Sequence, residues 1–432
     1  GTPNIQDIYP LAPLQEGMLF HHLVDPEHDA YVEAGLIAAS SRERLDSLLA
    51  AIQRVIDRHD ILRTGFIWKG LAQPMQVVLR RALLPIDIFE PDPASGDTVA
   101  EQLETRFDPQ HFLMDITQPP MLRCVIADDP ANQRCLLRLL SHHLAIDHPT
   151  LEMLVEEAFA IERGEESELP APVPFRNFVA QARLGVSEEE HETFFRDMLG
   201  DIDEPTAPFD IVDVQVDASS IVEHRWTLDS ALSAALRIQT RKQGVSPAAV
   251  MHLAWALVLA RLTGRKDVVF GSVFLGRMQG GESADRALGM FMNTLPVRLR
   301  IGELAAMVSL RDTHALLAQL LRHEHAPLAL AQRCSAVQAP APLFTTILNY
   351  RHSEQSLAGA EGLFRGSEGI SLLSSRERTN LPVCVDVDDL GDDFVFTFQV
   401  VSRIDPQRLG AFMAEALHAL SSALSSGGGT SL

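Results

Sequence analysis

Three histidines and one aspartate lie between an apolar run and an apolar-periodic stretch in the first half of the chain. The run, at residues 136–140, is typical of a buried strand. The periodic stretch opens at Pro149 and predicts a helix, because proline suits a first helical position, where its missing N–H costs nothing. The connection carries His142, His143, Asp147 and His148. Ionisable groups at the N-terminus of a helix are well placed to form a functional site.

Several kinds of chemistry are open to these residues. A histidine just beyond a buried strand can act as a general base near neutral pH. An aspartate four residues later can orient the connection or pair with a cation. Zinc accepts both residue types, but no spaced cysteine or histidine elsewhere completes a ligand set, so we predict no metal site. Paired histidines at a strand end are also typical of loop residues whose hydrogen bonds are satisfied locally.

The pattern resembles the His-His-x-x-x-Asp-Gly motif of condensation domains in nonribosomal peptide synthetases, with His142, His143 and Asp147 as the matching residues. Other stretches are similar to further motifs of this family and follow in the family's order. They are residues 9–21 (YPLAPLQEGMLFH), 58–66 (RHDILRTGF), 289–298 (GMFMNTLPVR), 323–328 (HEHAPL) and 349–353 (NYRHS). On these motifs the chain is identified as a member of the family, within the chloramphenicol-acetyltransferase-like superfamily.

The elements that must position the motif alternate between strand and helix patterns, so the residues predict an α/β protein of two lobes. The resemblance implies two chloramphenicol-acetyltransferase-like lobes that form a V-shaped pseudo-dimer with a central tunnel. Charge and proline are concentrated at residues 164–174, which predicts the boundary there. We therefore expect an N-terminal lobe at residues 1–170, which carries the motif, and a C-terminal lobe at residues 171–432. Its glycine-rich end, residues 425–432, is predicted to be a flexible tail.

The resemblance also implies the reaction. A donor and an acceptor peptidyl carrier protein would each bring a thioester on a phosphopantetheine arm, and the acceptor amine would attack the donor thioester to form a peptide bond. The domain itself would bind no cofactor, and adjacent synthetase domains would be further partners. His143 would accept the amine proton or hold the amine by a hydrogen bond, and either role needs the neutral form of the histidine ring. His142 would be structural. Asp147 would form a buried salt bridge with Arg277 across the two lobes.

One residue departs from the family pattern. His148 stands where the family has glycine, and it precedes Pro149. Glycine permits positive φ, whereas a residue before proline favours extended conformations. The histidine would either reshape the acceptor side of the channel or block it. The first hypothesis is thus an active condensation domain, and the alternative is a non-condensing interface domain that docks a tailoring oxygenase (a β-hydroxylase) onto a carrier-bound amino acid. Epimerisation is disfavoured, because the sequence offers no clear second base.

Composition excludes several classes of partner. The net charge of −22 over 432 residues argues against nucleic acid and anionic membrane, although carrier docking would then need a local basic patch. No stretch of about 18 unbroken apolar residues is present, so no transmembrane span is expected. The four cysteines lack paired spacing and predict free thiols in a cytoplasmic protein.

Overall fold

The structure is a computed structural model that describes residues 4–24, 29, 31–109, 111–212, 221–277, 286–302, 304–352, 367–376 and 381–426. The chain forms two compact units. The first comprises Gly1–Gly185, Arg277–Phe291 and Ala358–Arg378, and the second comprises Val186–Gly276, Met292–Leu357 and Thr379–Leu432. The sequence places one boundary at residue 170, whereas the first unit runs to Gly185 and takes in two later segments. Composition marks a linker, but it carries no signal for segments that pair over long distances.

The first unit is an α/β structure. Its strands are β1 (Ile5–Pro10), β2 (Val32–Ala39), β3 (Thr64–Ile67), β4 (Met75–Leu79), β5 (Ile86–Ile88), β6 (Leu122–Asp129), β7 (Arg134–His142) and β12 (Ile370–Arg376). Its helices are α1 (Pro13–Val24), α2 (Arg42–Arg58), α3 (Val99–Arg106), α4 (His148–Glu162) and α5 (Phe175–Leu184). A five-stranded sheet has the order β12-β2-β7-β6-β5, and a small sheet has the order β1-β4-β3.

Strand β7 is the centre of the five-stranded sheet. It pairs antiparallel with β2 on one side and with β6 on the other. All of its residues after Arg134 are buried, so the prediction of a buried strand is confirmed. A central strand covered by helices reads as a continuous apolar run, and such a strand holds its last residue, His142, in a fixed position.

Helix α2 covers this sheet with an apolar stripe, which the helical spacing of apolar residues at 45–56 predicts. The buried residues of the stripe are Leu45, Leu48, Leu49, Ile52, Val55 and Ile56. The spacing Ser40-x-x-Glu43 is that of a capping box and predicts Ser40 as the cap, but the cap is Ser41, whose side chain accepts a hydrogen bond from the N–H of Arg44 at 3.1 Å. Adjacent serines offer the same chemistry, so the sequence pattern alone does not separate them.

Helix α4 is fixed against α2 by charged hydrogen bonds. Glu157 of α4 accepts from Arg58 at 3.1 Å and lies 2.9 Å from Nε2 of the buried His59. These two residues open the 58–66 motif, so part of that motif orients the helix that follows the histidine–aspartate turn.

The second unit is built on one six-stranded sheet of order β10-β9-β11-β13-β14-β8. Its strands are β8 (Ile221–Thr227), β9 (Asp267–Phe274), β10 (Asn293–Arg300), β11 (Thr346–His352), β13 (Val383–Asp389) and β14 (Phe394–Val401). Its helices are α6 (Glu188–Leu199), α7 (Ser230–Gln243), α8 (Pro247–Thr263), α9 (Ala306–Arg322), α10 (Leu328–Arg333) and α11 (Pro406–Ser425). The alternating apolar residues of 394–400 predict a half-buried strand. In β14, however, the side chains are buried on both faces apart from Thr397 and Gln399, which are partly exposed.

Two remaining predictions concern the cysteines and the membrane. The four cysteines are free and buried. Among the described helices none alone is long and apolar enough to cross a membrane; α7 and α8 reach that criterion only as a pair bent by 113°. Residue Ser353 of the 349–353 motif and residues 427–432 of the predicted tail lie outside the described residues.

Candidate functional site

The connection that carries the histidines and the aspartate is a tight turn. His142 is the last residue of β7, and α4 begins at His148. Asp147 caps this helix, because its carboxylate accepts a hydrogen bond from the N–H of Thr150 at 2.9 Å and so satisfies a donor that the first helical turn leaves open. The sequence predicts Pro149 as the first helical residue; it is the second, because the cap starts the helix one residue earlier.

The turn is held in place by the opening motif of the chain. Gln15 of α1 is fully buried, and its amide donates a hydrogen bond to the carbonyl of Leu144 at 2.7 Å. Its own oxygen accepts from the N–H of Ala12 and from the side chain of Gln76, each at 2.9 Å. A buried amide with all these partners fixes its neighbours in one arrangement. The resemblance identifies the motif, but the sequence gives no sign that Gln15 reaches the turn.

His142 is completely buried and belongs to a closed hydrogen-bond cluster. The N–H of Leu144 donates to its Nδ1 at 3.0 Å, so the ring proton lies on Nε2, which donates to Asp29 at 2.9 Å. His22 and the N–H of Tyr31 also bond to this carboxylate. Burial lowers the pKa of His142, and Asp29 opposes this only in part. Burial disfavours the charge of Asp29 as well, but the bonds from His142 and His22 outweigh it and hold the pKa of that carboxyl well below its usual value.

The cluster brings together atoms of residues that lie far apart in the sequence. Ligand atoms of His22, Asp29 and His142 lie within 4.8 Å of one another, as a metal site would require. A metal needs a free lone pair on each histidine nitrogen. Nε2 of His142 has none, because the N–H of Leu144 occupies Nδ1 and leaves the proton on Nε2. The hydrogen bonds therefore account for the cluster without a metal.

His143 is the motif histidine that reaches the surface, with 24% of its side chain exposed. Its Nδ1 lies 2.9 Å from the carbonyl oxygen of Ile146, and its Nε2 lies 2.9 Å from the carboxylate of Glu33. A carbonyl oxygen can only accept, so Nδ1 donates. Nε2 also faces an acceptor, the carboxylate of Glu33, so both ring nitrogens donate hydrogen bonds. Burial lowers the pKa of His143, but the charge of Glu33 and the hydrogen bond to it outweigh burial and raise the pKa to about 9.

This result differs from the neutral ring that we expect from the sequence. The expectation rests on burial, which favours the uncharged form, but a carboxylate at hydrogen-bonding distance reverses the direction. Glu33 lies on β2, in register opposite Ser141 of β7. The residues are more than a hundred positions apart in the chain, so only a correct pairing of β2 with β7 would have found Glu33.

Asp147 and Arg277 lie close together, as the resemblance implies. The guanidinium is 3.4 Å from the carboxylate and also donates to the carbonyl of Ala287. The ring of Phe291 stacks under it at 4.1 Å, and the N–H of Phe291 donates to Asp147 at 3.1 Å. Both charged residues belong to the first unit. The expectation that this pair joins two lobes is therefore corrected, because the pair joins two segments of one unit.

The glycine of the 289–298 motif closes the same contact. The hydroxyl of Thr150 donates to the carbonyl of Gly289 at 2.7 Å and accepts from its N–H at 2.9 Å. Gly289 has a φ of 151°, and a Cβ at this position would come within 2.3 Å of the ring of Phe175. Only glycine fits both the backbone and the space, so this motif anchors the start of α4.

His148 is the first residue of α4, and its φ is not positive. A glycine-only backbone is therefore not required at this position, so histidine in place of glycine does not change the backbone conformation through φ. The ring lies 3.1 Å from the carboxylate of Glu152, one turn along the helix, and 22% of the side chain is exposed. The remaining difference from the family is the imidazole itself.

The later motifs organise the second unit. The side chain of Asn293 donates to the carbonyls of Glu324 and Ala326 at 2.8 and 2.7 Å. His323 lies 2.8 Å from His191, nitrogen to nitrogen. These residues of the 289–298 and 323–328 motifs have structural contacts within their own unit.

Comparison with known proteins identifies the family of this chain. The model of one family, the condensation domain, matches residues 5–400. The chain belongs to the condensation-domain family. Its relatives are synthetases, so it is a condensation domain of the nonribosomal peptide synthetase type. It is 48% identical to malpinin synthetase of Mortierella alpina over 432 residues, which are all of this chain and 6% of the relative. The condensation domain thus spans less than a tenth of that synthetase.

Two solved structures share its fold. One is the condensation domain from the monacolin K polyketide synthase MokA, with a TM-score of 0.69 and 20% identity over 98% of both chains. The other is the X-domain in its complex with OxyB from teicoplanin biosynthesis, with a TM-score of 0.72 and 17% identity over 98% of this chain and 94% of that one. The fold is therefore common to a condensation domain and to a domain that is seen bound to a partner protein.

Proposed function

We propose that this condensation domain forms a peptide bond between a carrier-bound acyl or peptidyl thioester and the amine of a carrier-bound aminoacyl thioester. The main support for the proposal is the position of His143, which is held by its neighbours and yet is partly exposed at the end of a buried strand. Nδ1 is occupied by the carbonyl of Ile146, and Nε2 faces the partly exposed carboxylate of Glu33, so Nε2 is the ring atom left for chemistry. A ring fixed in this way suits proton transfer.

Positioning would supply much of the rate. An amine and a thioester held together react as one molecule, and effective molarities of roughly 10⁵–10⁸ M are known for well-oriented pairs. The turn around His143 is suited to such a role, because Gln15, Asp147 and Thr150 each fix it through buried hydrogen bonds. His142 would support the ring beside it, and Asp147 with Arg277 would hold the start of α4. Substrates would arrive on phosphopantetheine arms of donor and acceptor carrier proteins.

A second candidate function rests on His148. Its imidazole stands where the family motif has a glycine, and it lies at the first turn of α4 beside the catalytic motif. In this alternative the domain makes no peptide bond and instead docks a tailoring oxygenase onto a carrier-bound amino acid. The X-domain that is seen in complex with OxyB has a similar fold, and its similarity to this chain concerns the fold alone.

One experiment separates the two. Donor and acceptor carrier proteins, loaded with aminoacyl groups, are mixed with the chain, and intact carriers are analysed by mass spectrometry. A dipeptidyl acceptor carrier that appears faster than in a mixture without the chain supports condensation. Retention of the oxygenase on the immobilised chain, with no dipeptidyl product from any loaded pair, would support the docking function and contradict the first proposal.

A further inference from the structure

We propose that Glu33 is part of the reaction site and shares one proton with His143, so that the two residues act as a pair. The inference rests on the proposed condensation and deepens it, because it assigns the proton transfers of that reaction. Glu33 lies outside the motifs that resemble those of the family, and its place in the site follows from the pairing of β2 with β7.

The distances fix the number of protons in the pair. Nδ1 of His143 must donate, since its partner at 2.9 Å is a carbonyl oxygen. Nε2 then faces a carboxylate oxygen of Glu33 at 2.9 Å. A nitrogen lone pair and a carboxylate lone pair would repel at that distance, so one proton lies between them. The ring is held firmly for this purpose, because the backbone N–H of His143 also donates to the carbonyl of Tyr31 at 2.9 Å.

The other carboxylates near the ring of His143 are engaged by other partners and do not share its proton. Asp147, at the start of α4, also favours a charged His143, but it is engaged by the N–H of Thr150 and by Arg277. On the side of β7 and α1, Asp29 is engaged by His142 and His22. Among the described residues, Glu33 is therefore the carboxylate that contacts the ring of His143. It is also accessible, with 20% of its side chain exposed.

The pair completes the proton balance of condensation. As the new C–N bond forms and the C–S bond breaks, the carboxylate of Glu33 takes the proton that the amine loses. Nε2–H of His143 protonates the departing thiolate. The proton on Glu33 then passes to Nε2 and restores the starting pair. The acceptor amine must reach the carboxylate to begin this cycle, so the Glu33–His143 contact opens when substrate binds.

The first test measures the pair directly and needs no substrate. The whole chain is labelled with ¹⁵N-histidine, and the ring signals are titrated by NMR, with His143→Gln to assign the signal. We expect His143 to titrate near the value of about 9 given by its surroundings. In Glu33→Gln the titration should move down by about one unit or more, since an opposite charge at this distance shifts a pKa by roughly 1–3 units. Glu43→Gln, which removes an exposed carboxylate from α2, is the matched control and should change nothing.

The second test uses loaded carriers across a range of pH. Because Nε2–H protonates the thiolate, kcat should fall as the pH rises through the pKa of the pair. Glu33→Gln should lower kcat by about tenfold or more, leave KM for the carriers unchanged, and move this descending limb to lower pH. Glu33→Asp, which keeps the carboxylate, should recover part of the rate.

The outcomes separate the two proposals. A His143 signal that titrates alike in the unchanged chain and in Glu33→Gln would overturn the shared proton, whether or not the chain condenses. An active chain whose rate and pH profile do not respond to Glu33→Gln would overturn the role in the reaction. A chain that makes no product from any loaded pair would contradict the proposed condensation, while the titration would still decide whether the pair exists.

Discussion

Two neighbouring histidines at the end of β7 pair with carboxylates at the same distance but differ in charge. Nε2 of His142 lies 2.9 Å from Asp29, and Nε2 of His143 lies 2.9 Å from Glu33. The difference lies at the other ring nitrogen. Nδ1 of His142 accepts from a backbone N–H, whereas Nδ1 of His143 donates to a backbone carbonyl. The first ring is therefore neutral and the second is charged.

The backbone of the turn therefore assigns different roles to the two histidines. One buried ring is closed on all sides and can only support its neighbours. The other keeps an exposed edge and a mobile proton, which are the properties that proton transfer needs. Adjacent residues of the same type can thus take a structural and a chemical role, because the direction of two backbone groups differs.

The largest effect should come from the exposed member of the comparison. His143→Ala should lower the rate of dipeptide formation by roughly 10²–10⁴-fold, the usual range for loss of an acid–base group. Its melting temperature should stay close to that of the unchanged chain. His418→Ala, on an exposed face of α11, is a matched control. An unchanged rate in His143→Ala would mean that positioning alone produces the activity and that the two histidines do not differ in role.

The next effect concerns the residue that fixes the turn beneath both histidines. Asp147→Ala removes both the cap of α4 and the carboxylate beside the buried guanidinium of Arg277, and removing one member of a buried pair costs about 3–5 kcal/mol. Urea unfolding should show this loss, and dipeptide formation should fall as well. The exposed Asp197→Ala, on α6, should leave the free energy of unfolding unchanged. Equal stability of both variants would show that the pair does not hold the turn.

The buried histidine should contribute more to stability than the exposed one. His142→Ala removes one hydrogen bond from the buried carboxylate of Asp29, at a cost of about 1–3 kcal/mol. The free energy of unfolding should therefore fall more in His142→Ala than in His143→Ala, as measured in urea. If His143→Ala is the less stable variant, the assignment of a structural and a chemical histidine is reversed.

The smallest effect on stability is expected at His148. His148→Gly removes the partly exposed contact with Glu152 one helical turn away, worth about 0.3–0.5 kcal/mol, and adds a similar cost for glycine in the first helical turn. The free energy of unfolding should thus change by about 1 kcal/mol or less. We expect the variant to accept a wider range of acceptor-loaded carriers, because an imidazole beside the motif is gone.

The measurement is mass spectrometry of several acceptor carriers, with Glu152→Gln to separate the loss of the pair from the loss of the ring. New condensation by His148→Gly where the unchanged chain makes no product would instead favour the docking function. Equal product and acceptor range in all three chains would make His148 a neutral residue of the helix.

Much of the fold follows from local sequence. The apolar run before His142 and the stripe of α2 both follow from hydrophobic periodicity, because burial of one face or of a whole strand leaves a repeating pattern. The motifs also fix the family. Local patterns decide the N-cap of α2 less well, since Ser40 and Ser41 have the same chemistry and the cap depends on the backbone angle of each.

The charge of His143 was decided by the tertiary structure alone. The sequence places two histidines and an aspartate in one turn, and burial then predicts a neutral ring. The pairing of β2 with β7 brings Glu33 to Nε2, and the turn points a carbonyl at Nδ1, and together they reverse that prediction. Local sequence determines which groups are present, but a proton's position depends on the orientation of partners that lie far apart in the chain.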